Sequence, residues 1–160
     1  MAVRDDYFLR FIALLRLAIA QMVKYRTTGR YTEALDAALQ AQEKLFTRTT
    51  AELAKLDLAE LIRLLRVDEP RETADEKVLI YGNLLRETGL VYLAMDRNDS
   101  AENCFQLALY VILTVASEQP QPSDEVRVTL RDLLARIPPE RLPPPAIEML
   151  ERMGAKADRA

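Results

Sequence analysis

The stretch GNLLRETGLVYLAMDRNDSAENCFQLALYVIL, residues 82–113, decides the fold class. Apolar residues recur every three to four positions on both sides of the polar run Asp96-Arg97-Asn98-Asp99, the pattern of two amphipathic helices joined by a tight turn. The first helix begins at the capping-box sequence Thr73-Ala74-Asp75-Glu76 and runs to about Met95; the second runs from about Ser100 to Ala116. Gly89 removes a side chain where the two helices cross, and Tyr92 fills the space beside it. Ala101 is small at the closest approach, and Phe105 and Ala108 continue the seam.

Working upstream, the periodicity predicts a helix from about Asp5 to Arg26. Phe8, Phe11, Ile12, Leu15, Ala18, Ile19 and Met22 fall on one face, with Arg10, Arg16 and Lys24 on the other. Thr27-Thr28-Gly29 stops it, because glycine accepts the left-handed cap geometry. A second helix follows from Tyr31 to about Phe46, with Ala34, Leu35, Ala38, Ala41, Leu45 and Phe46 inward. Residues 47–72 read as an irregular helical insert. Thr49 or Thr50 is placed to cap a short helix, Asp57 and Glu60 have capping-box spacing, and Asp68-Glu69-Pro70 breaks the pattern. Downstream, Pro120 and Pro122 mark a linker, Ser123 caps a further helix, and Ile137-Pro138-Pro139 ends it. Pro143-Pro144-Pro145 feeds a short last helix that is expected to stop near Met153-Gly154, leaving a frayed end.

These elements amount to six or seven helices in one all-α domain over residues 1–160, with hairpins at about 5–46 and 73–116 and C-terminal helices at about 123–153. A chain of 160 residues is long enough to bury a core without staples. One cysteine, Cys104, excludes an internal disulfide framework and a CxxC metal site, and a reduced, cytoplasmic setting follows most simply. Histidine is absent, which removes Ser–His and Cys–His nucleophile systems and His-ligated metals. With a net charge of −3 the bulk field repels nucleic acid. The apolar run 11–23 is too short to span a bilayer, which takes about 20 residues, and Arg16 and Gln21 interrupt it. No catalytic constellation, metal site or cofactor site is expected.

Gly89, Tyr92, Ala101, Phe105 and Ala108 stand at the relative spacings of the tetratricopeptide repeat signature. Leu85 takes the place usually held by tryptophan, and Thr88 and Leu113 stand where leucine and proline are preferred. A weaker copy lies upstream: Tyr25, Ala34 and Ala41 align in the same frame with Gly29 in the turn, while Met22 replaces the glycine and Ala38 the phenylalanine. The offset, Leu15 to Gly82, is 82 − 15 = 67 residues, about two periods of roughly 34. The chain also resembles a family of small, uncharacterised bacterial proteins of tetratricopeptide-like architecture, through its apolar first helix, the Gly-Arg-Tyr-Thr-Glu-Ala-Leu turn at 29–35, the repeat-like hairpin and the Pro-Pro linker. The resemblance implies hairpins stacked as a short right-handed α-α superhelix. By analogy of architecture it also implies the binding of protein segments rather than catalysis.

In that frame Arg16, Asn83 and Arg86 fall on the first helices of the two hairpins, on the side that lines a concave groove. Arginine and asparagine there would hold an acidic or C-terminal peptide segment. The plainer reading makes them solvated positions on amphipathic helices. The acids Asp68, Glu69, Glu72, Asp75 and Glu76 lack the order of a calcium loop and read as helix-start carboxylates. Cys104, beside Phe105, reads as a core residue, and Tyr7, Phe8 and Phe11 read mostly as core aromatics. The wide apolar face of the first helix would also seat a second copy, giving a homodimer. The sequence thus favours a non-enzymatic interaction or scaffold module. Two alternatives stand beside it. One is a small-ligand sensor in which the insert 47–72 covers an apolar pocket. The other is a peripheral membrane protein, since residues 1–30 carry Arg4, Arg10, Arg16, Lys24, Arg26 and Arg30 against Asp5 and Asp6.

Overall fold

The computed structural model describes the backbone of residues 2–159 and the side-chain surroundings of residues 6–154. Among the described residues it is all-helical and has no strand. Eight α-helices follow in order: α1 (Ala2–Thr27), α2 (Tyr31–Phe46), α3 (Thr50–Leu53), α4 (Leu58–Arg66), α5 (Arg71–Ala94), α6 (Asn98–Ala116), α7 (Asp124–Arg136) and α8 (Pro144–Arg159). A 3-10 turn at Pro139–Arg141 lies between the last two. The expected six or seven becomes eight because the insert forms two separate short helices, α3 and α4, each with its own cap. Thr49 accepts a hydrogen bond from the Glu52 N–H, and Asp57 with Glu60 closes a reciprocal capping box.

Two boundaries differ from the sequence reading. α5 starts at Arg71, and the Thr73–Glu76 capping box is not formed. Pro70, at φ −58, already holds the geometry that leads into a helix and has no N–H to leave unsatisfied, so the helix starts directly after it. Likewise α8 runs through Gly154 to Arg159. A mid-helix glycine costs only about 1 kcal/mol relative to alanine, and the alanines and lysine that follow are good helix formers.

The two long hairpins close by the same device. At the end of α1, Gly29 takes φ +77, its N–H donates to the Arg26 carbonyl (3.2 Å) and the Arg30 N–H to the Tyr25 carbonyl (2.8 Å). At the end of α5, Asp96 takes φ +59, its N–H donates to Leu93 (3.1 Å) and the Arg97 N–H to Tyr92 (2.9 Å). This is the Schellman arrangement, which satisfies carbonyls that a helix end leaves open. The next helix then starts from Arg30 (φ −93, ψ 67) or Arg97 (φ −95, ψ 73), so the two turns agree residue for residue at an offset of 96 − 29 = 67.

α5 and α6 form the central pair, and they run antiparallel. A Cβ built on Gly82 would meet Ile112, and one built on Gly89 would meet Phe105, so contacts move down α6 as they move up α5. α5 also packs against α1, α2 and α4, while α6 carries α7 and α8 on its other side. Two apolar clusters result. One joins α1, α2, α3, α4 and α5 around Leu15, Met22, Leu65 and Val78. The other joins α6, α7 and α8 around Leu109, Leu113, Leu133 and Ala146. Leu79, Leu85 and Tyr110 pack against both clusters, which makes the α5–α6 pair the partition shared by the two halves.

Candidate interaction surface

The repeat-signature residues hold the α5–α6 seam together. A Cβ on Gly89 would lie 2.6 Å from Phe105 Cε1, 2.8 Å from its Cδ1 and 3.2 Å from the Ala101 carbonyl oxygen, so the phenyl ring occupies the notch that glycine leaves. Ala101, Phe105 and Ala108 are buried and Tyr92 is partly buried beside them. Gly82, one heptad before Gly89 on the same face, makes a second notch filled by Ile112. Its glycine was legible in the sequence as an alignment point, but only the antiparallel register reveals what fills it.

α1, α5 and α7 converge on a crevice of about 130 Å³. Arg16 of α1 and Asn83 of α5 both line it, 83 − 16 = 67 residues apart, and are therefore equivalent positions of the two hairpins. The far wall is α7, through Ser123, Val126 and Thr129. Arg16 is not waiting for a ligand: its Nη2 donates to Glu76 Oε1 at 2.7 Å. Arg86 stands apart from this crevice. Its Nε donates to Asp132 Oδ2 at 2.8 Å, and Arg136 Nε donates to the same oxygen at 3.1 Å. The carboxylate that the sequence reading assigned to a partner at Arg86 is thus supplied by α7 of the chain itself. Partial burial by itself would raise the Asp132 carboxyl. The hydrogen bonds from Arg136 and Arg86, with the charges of both, outweigh that and hold it below its ordinary 3.8.

Arg86 also links the Asp132 cluster to a second one around Glu87. Glu87 is buried, lies 3.5 Å from both Arg26 and Arg86, and leaves its Oε2 without a hydrogen bond, as Arg26 leaves its Nε. It ties the end of α1 to the middle of α5. Two of the acids around the start of α5 are likewise engaged: Glu69 pairs with Lys77 at 2.9 Å and Glu76 with Arg16. Among the described residues no group of three or more His, Cys, Asp or Glu is placed to hold a metal ion. Cys104 is buried, and desolvation lifts its thiol from 9.0 to about 11.

The outer face of α1 departs from the sequence reading. Phe8 and Phe11 are partly buried in the first cluster, but Tyr7 is 72% exposed and is no core aromatic. Leu9, Leu14 and Leu17 are 64%, 53% and 66% exposed. Tyr7, Arg10, Leu14, Leu17, Gln21 and Lys24, all exposed, recur at alternating spacings of three and four, which aligns them as one seam along the helix. The inward stripe of α1 is full without them, because Ile12, Leu15 and Met22 supply it. The seven-residue step from Tyr7 to Leu14 to Gln21 was visible in the sequence. What hid it was the leucine-rich character of both faces, which lets a single apolar stripe be drawn in several places. Arg16 lies off this seam, about 100° around the helix from Leu17, and lines the crevice instead. Among the described residues no helix is long and apolar enough to cross a membrane. Comparisons with family models, with curated proteins and with solved structures find no match to this chain.

Proposed function

We propose that the chain is a non-enzymatic interaction module, built as a short tetratricopeptide-like stack, that docks an acidic amphipathic protein segment on the outer face of α1. The observation that carries the reading is the exposed seam of Tyr7, Leu14 and Leu17. Large apolar side chains gathered on one exposed helix face mark interaction sites, whereas scattered single ones do not. The chemistry of the partner follows from charge. Arg10 and Lys24 lie in the seam, with Asp6 the one described acid of α1 near them, so a partner that matches leucine with leucine gains further from carboxylates on its flanks. The tetratricopeptide-like stacking is supported by the repeated turn geometry at an offset of 67 and by the notch at Gly89 that Phe105 fills.

The test replaces Leu14 and Leu17 with glutamate. Both are exposed, so the fold should persist, while a central apolar anchor of an interface is worth about 2 kcal/mol or more, roughly 30-fold in affinity. A partner captured from source-cell extract by the wild-type chain should be lost by the double variant at unchanged melting temperature. A captured set indifferent to both substitutions would refute the surface. Sedimentation at micromolar concentration decides the other occupant, since a dimer that the double variant dissociates would assign the seam to a second copy.

A further inference from the structure

The insert between α2 and α5 roofs a cavity of about 420 Å³ that meets the α1 seam at Tyr7 but is lined by neither Leu14 nor Leu17. Its apolar walls are Phe8 and Phe11 of α1, Leu45 and Phe46 of α2, and Leu64 and Leu65 of α4, while Thr73 and Lys77 of α5 give it a polar side. The Phe46 ring packs edge-on against Tyr81, with centroids 5.0 Å apart and an interplanar angle of 88°. Thr47 and Pro70, the two ends of the insert, line the mouth. An apolar cavity of about 150 Å³ takes up benzene, and drug-sized ligand sites begin at about 300 Å³. The space here therefore suits two or three rings, or a short branched chain.

The charges at the mouth select among such ligands. Among the described residues the cavity is lined by one cation and one anion, Lys77 and Glu69, and they are paired with each other at 2.9 Å. The Lys77 ammonium also lies 5.9 Å from the centre of the Phe11 ring, which holds it over the wall. An ionised ligand group would have to break this pair or sit against its like charge. An uncharged ligand leaves the pair intact and finds hydroxyls at Thr47 and Thr73 for a single polar substituent. We infer that this cavity is a binding site for an uncharged, largely apolar small molecule of two to three rings or equivalent bulk.

The test uses a matched pair of probes, N-phenyl-1-naphthylamine and its 8-sulfonate, which share an apolar body and differ by one charge. The chain has no tryptophan, so the filling variants add a signal of their own and confuse nothing native. The uncharged probe should give saturable, one-to-one fluorescence enhancement with the full chain, and the sulfonate should bind at least tenfold more weakly. Thr73→Trp, which plugs the mouth, and Leu64→Trp, which fills the body, should each weaken the uncharged probe at least tenfold while circular dichroism remains native. If one of them fails to fold, the other decides. The Leu14→Glu, Leu17→Glu double variant should bind the probe unchanged, which separates this site from the α1 seam. The inference is overturned by non-saturable enhancement, by equal or tighter binding of the sulfonate, by a folded filling variant that binds like wild type, or by loss of binding in the seam variant.

Discussion

Gly89→Ala puts the α5–α6 seam to its sharpest test, because two opposing effects of known size meet at one atom. In an open helix position the change would stabilise the protein by about 1 kcal/mol, since glycine is the poorer helix former. At Gly89 the added methyl would stand 2.6 and 2.8 Å from two carbons of the Phe105 ring, where carbon contacts settle at about 3.5–4.0 Å. The ring therefore has to move by roughly 1 Å. It has little freedom to do so: Phe105 is 3% exposed, the Arg136 guanidinium stands 5.6 Å from its ring centre, and the new methyl is itself held 3.2 Å from the Ala101 carbonyl. Overpacking of this kind costs about 1–3 kcal/mol. The net expectation is a loss of about 1 kcal/mol, seen as a melting temperature lower by about 2–4 °C for a domain of this size. Phe105→Leu separates the terms. Alone it should cost about 1–2 kcal/mol, and with Gly89→Ala added it should cost no more, because the methyl then fills space the ring has left. Urea and thermal melts of the four proteins complete the cycle. A Gly89→Ala protein that melts 2–4 °C higher than wild type would show the propensity gain unopposed, and the close approach would be refuted.

Asp132→Asn should cost stability near neutrality and nothing at low pH. The Asp132 carboxyl is depressed in the folded chain, so its contribution is present above the unfolded value of about 3.9 and is lost as pH falls through the folded one. Melting curves of the two proteins should converge below about pH 4, and a constant gap down to pH 2 would contradict the Arg86–Asp132–Arg136 cluster. On the alkaline side, burial lifts Cys104 from 9.0 to about 11; burial first, and then the nearby Cys104 charge, lift Tyr81 from 10.0 to about 12. Both raised groups stabilise the fold fully below their unfolded values, so stability should fall from pH 9 toward 12, and Cys104→Val should delay the onset to about pH 10. A variant with an unchanged alkaline profile would defeat that account. Glu87→Ala strands the Arg26 guanidinium and should cost about 2–3 kcal/mol, somewhat below a fully buried pair because Arg26 is about a quarter exposed. Replacing Arg26 and Glu87 together by methionine should restore most of that loss in a urea melt; a double variant as unstable as the single one would argue against the pairing.

The features legible in the residues are those that act over a turn or two of chain. The caps at Thr49, Asp57 and Ser123, the stop at Gly29 and the inward stripes of α1 and α2 depend on neighbours within a few residues, and the structure reproduces them. The two tight turns were legible too, because Gly29 and the polar run at 96–99 mark them in residue type. Where two local signals competed, the reading went astray: Pro70 overrode the capping box at Thr73, and good helix formers carried α8 past Gly154. Pairings across long separations carry no such mark. That Arg86 would meet Asp132, 46 residues on, depends on where α7 comes to rest, and an arginine suited to a foreign carboxylate is equally suited to one of its own. That α1 keeps Tyr7, Leu14 and Leu17 outside depends on α2 and α5 filling its other side first. The cavity beneath the insert exists only because α4 leaves a gap against α1 and α2 when the chain closes over it. Local composition determined the helices and their turns; the surfaces on which a function would act arose from how those helices excluded one another in three dimensions.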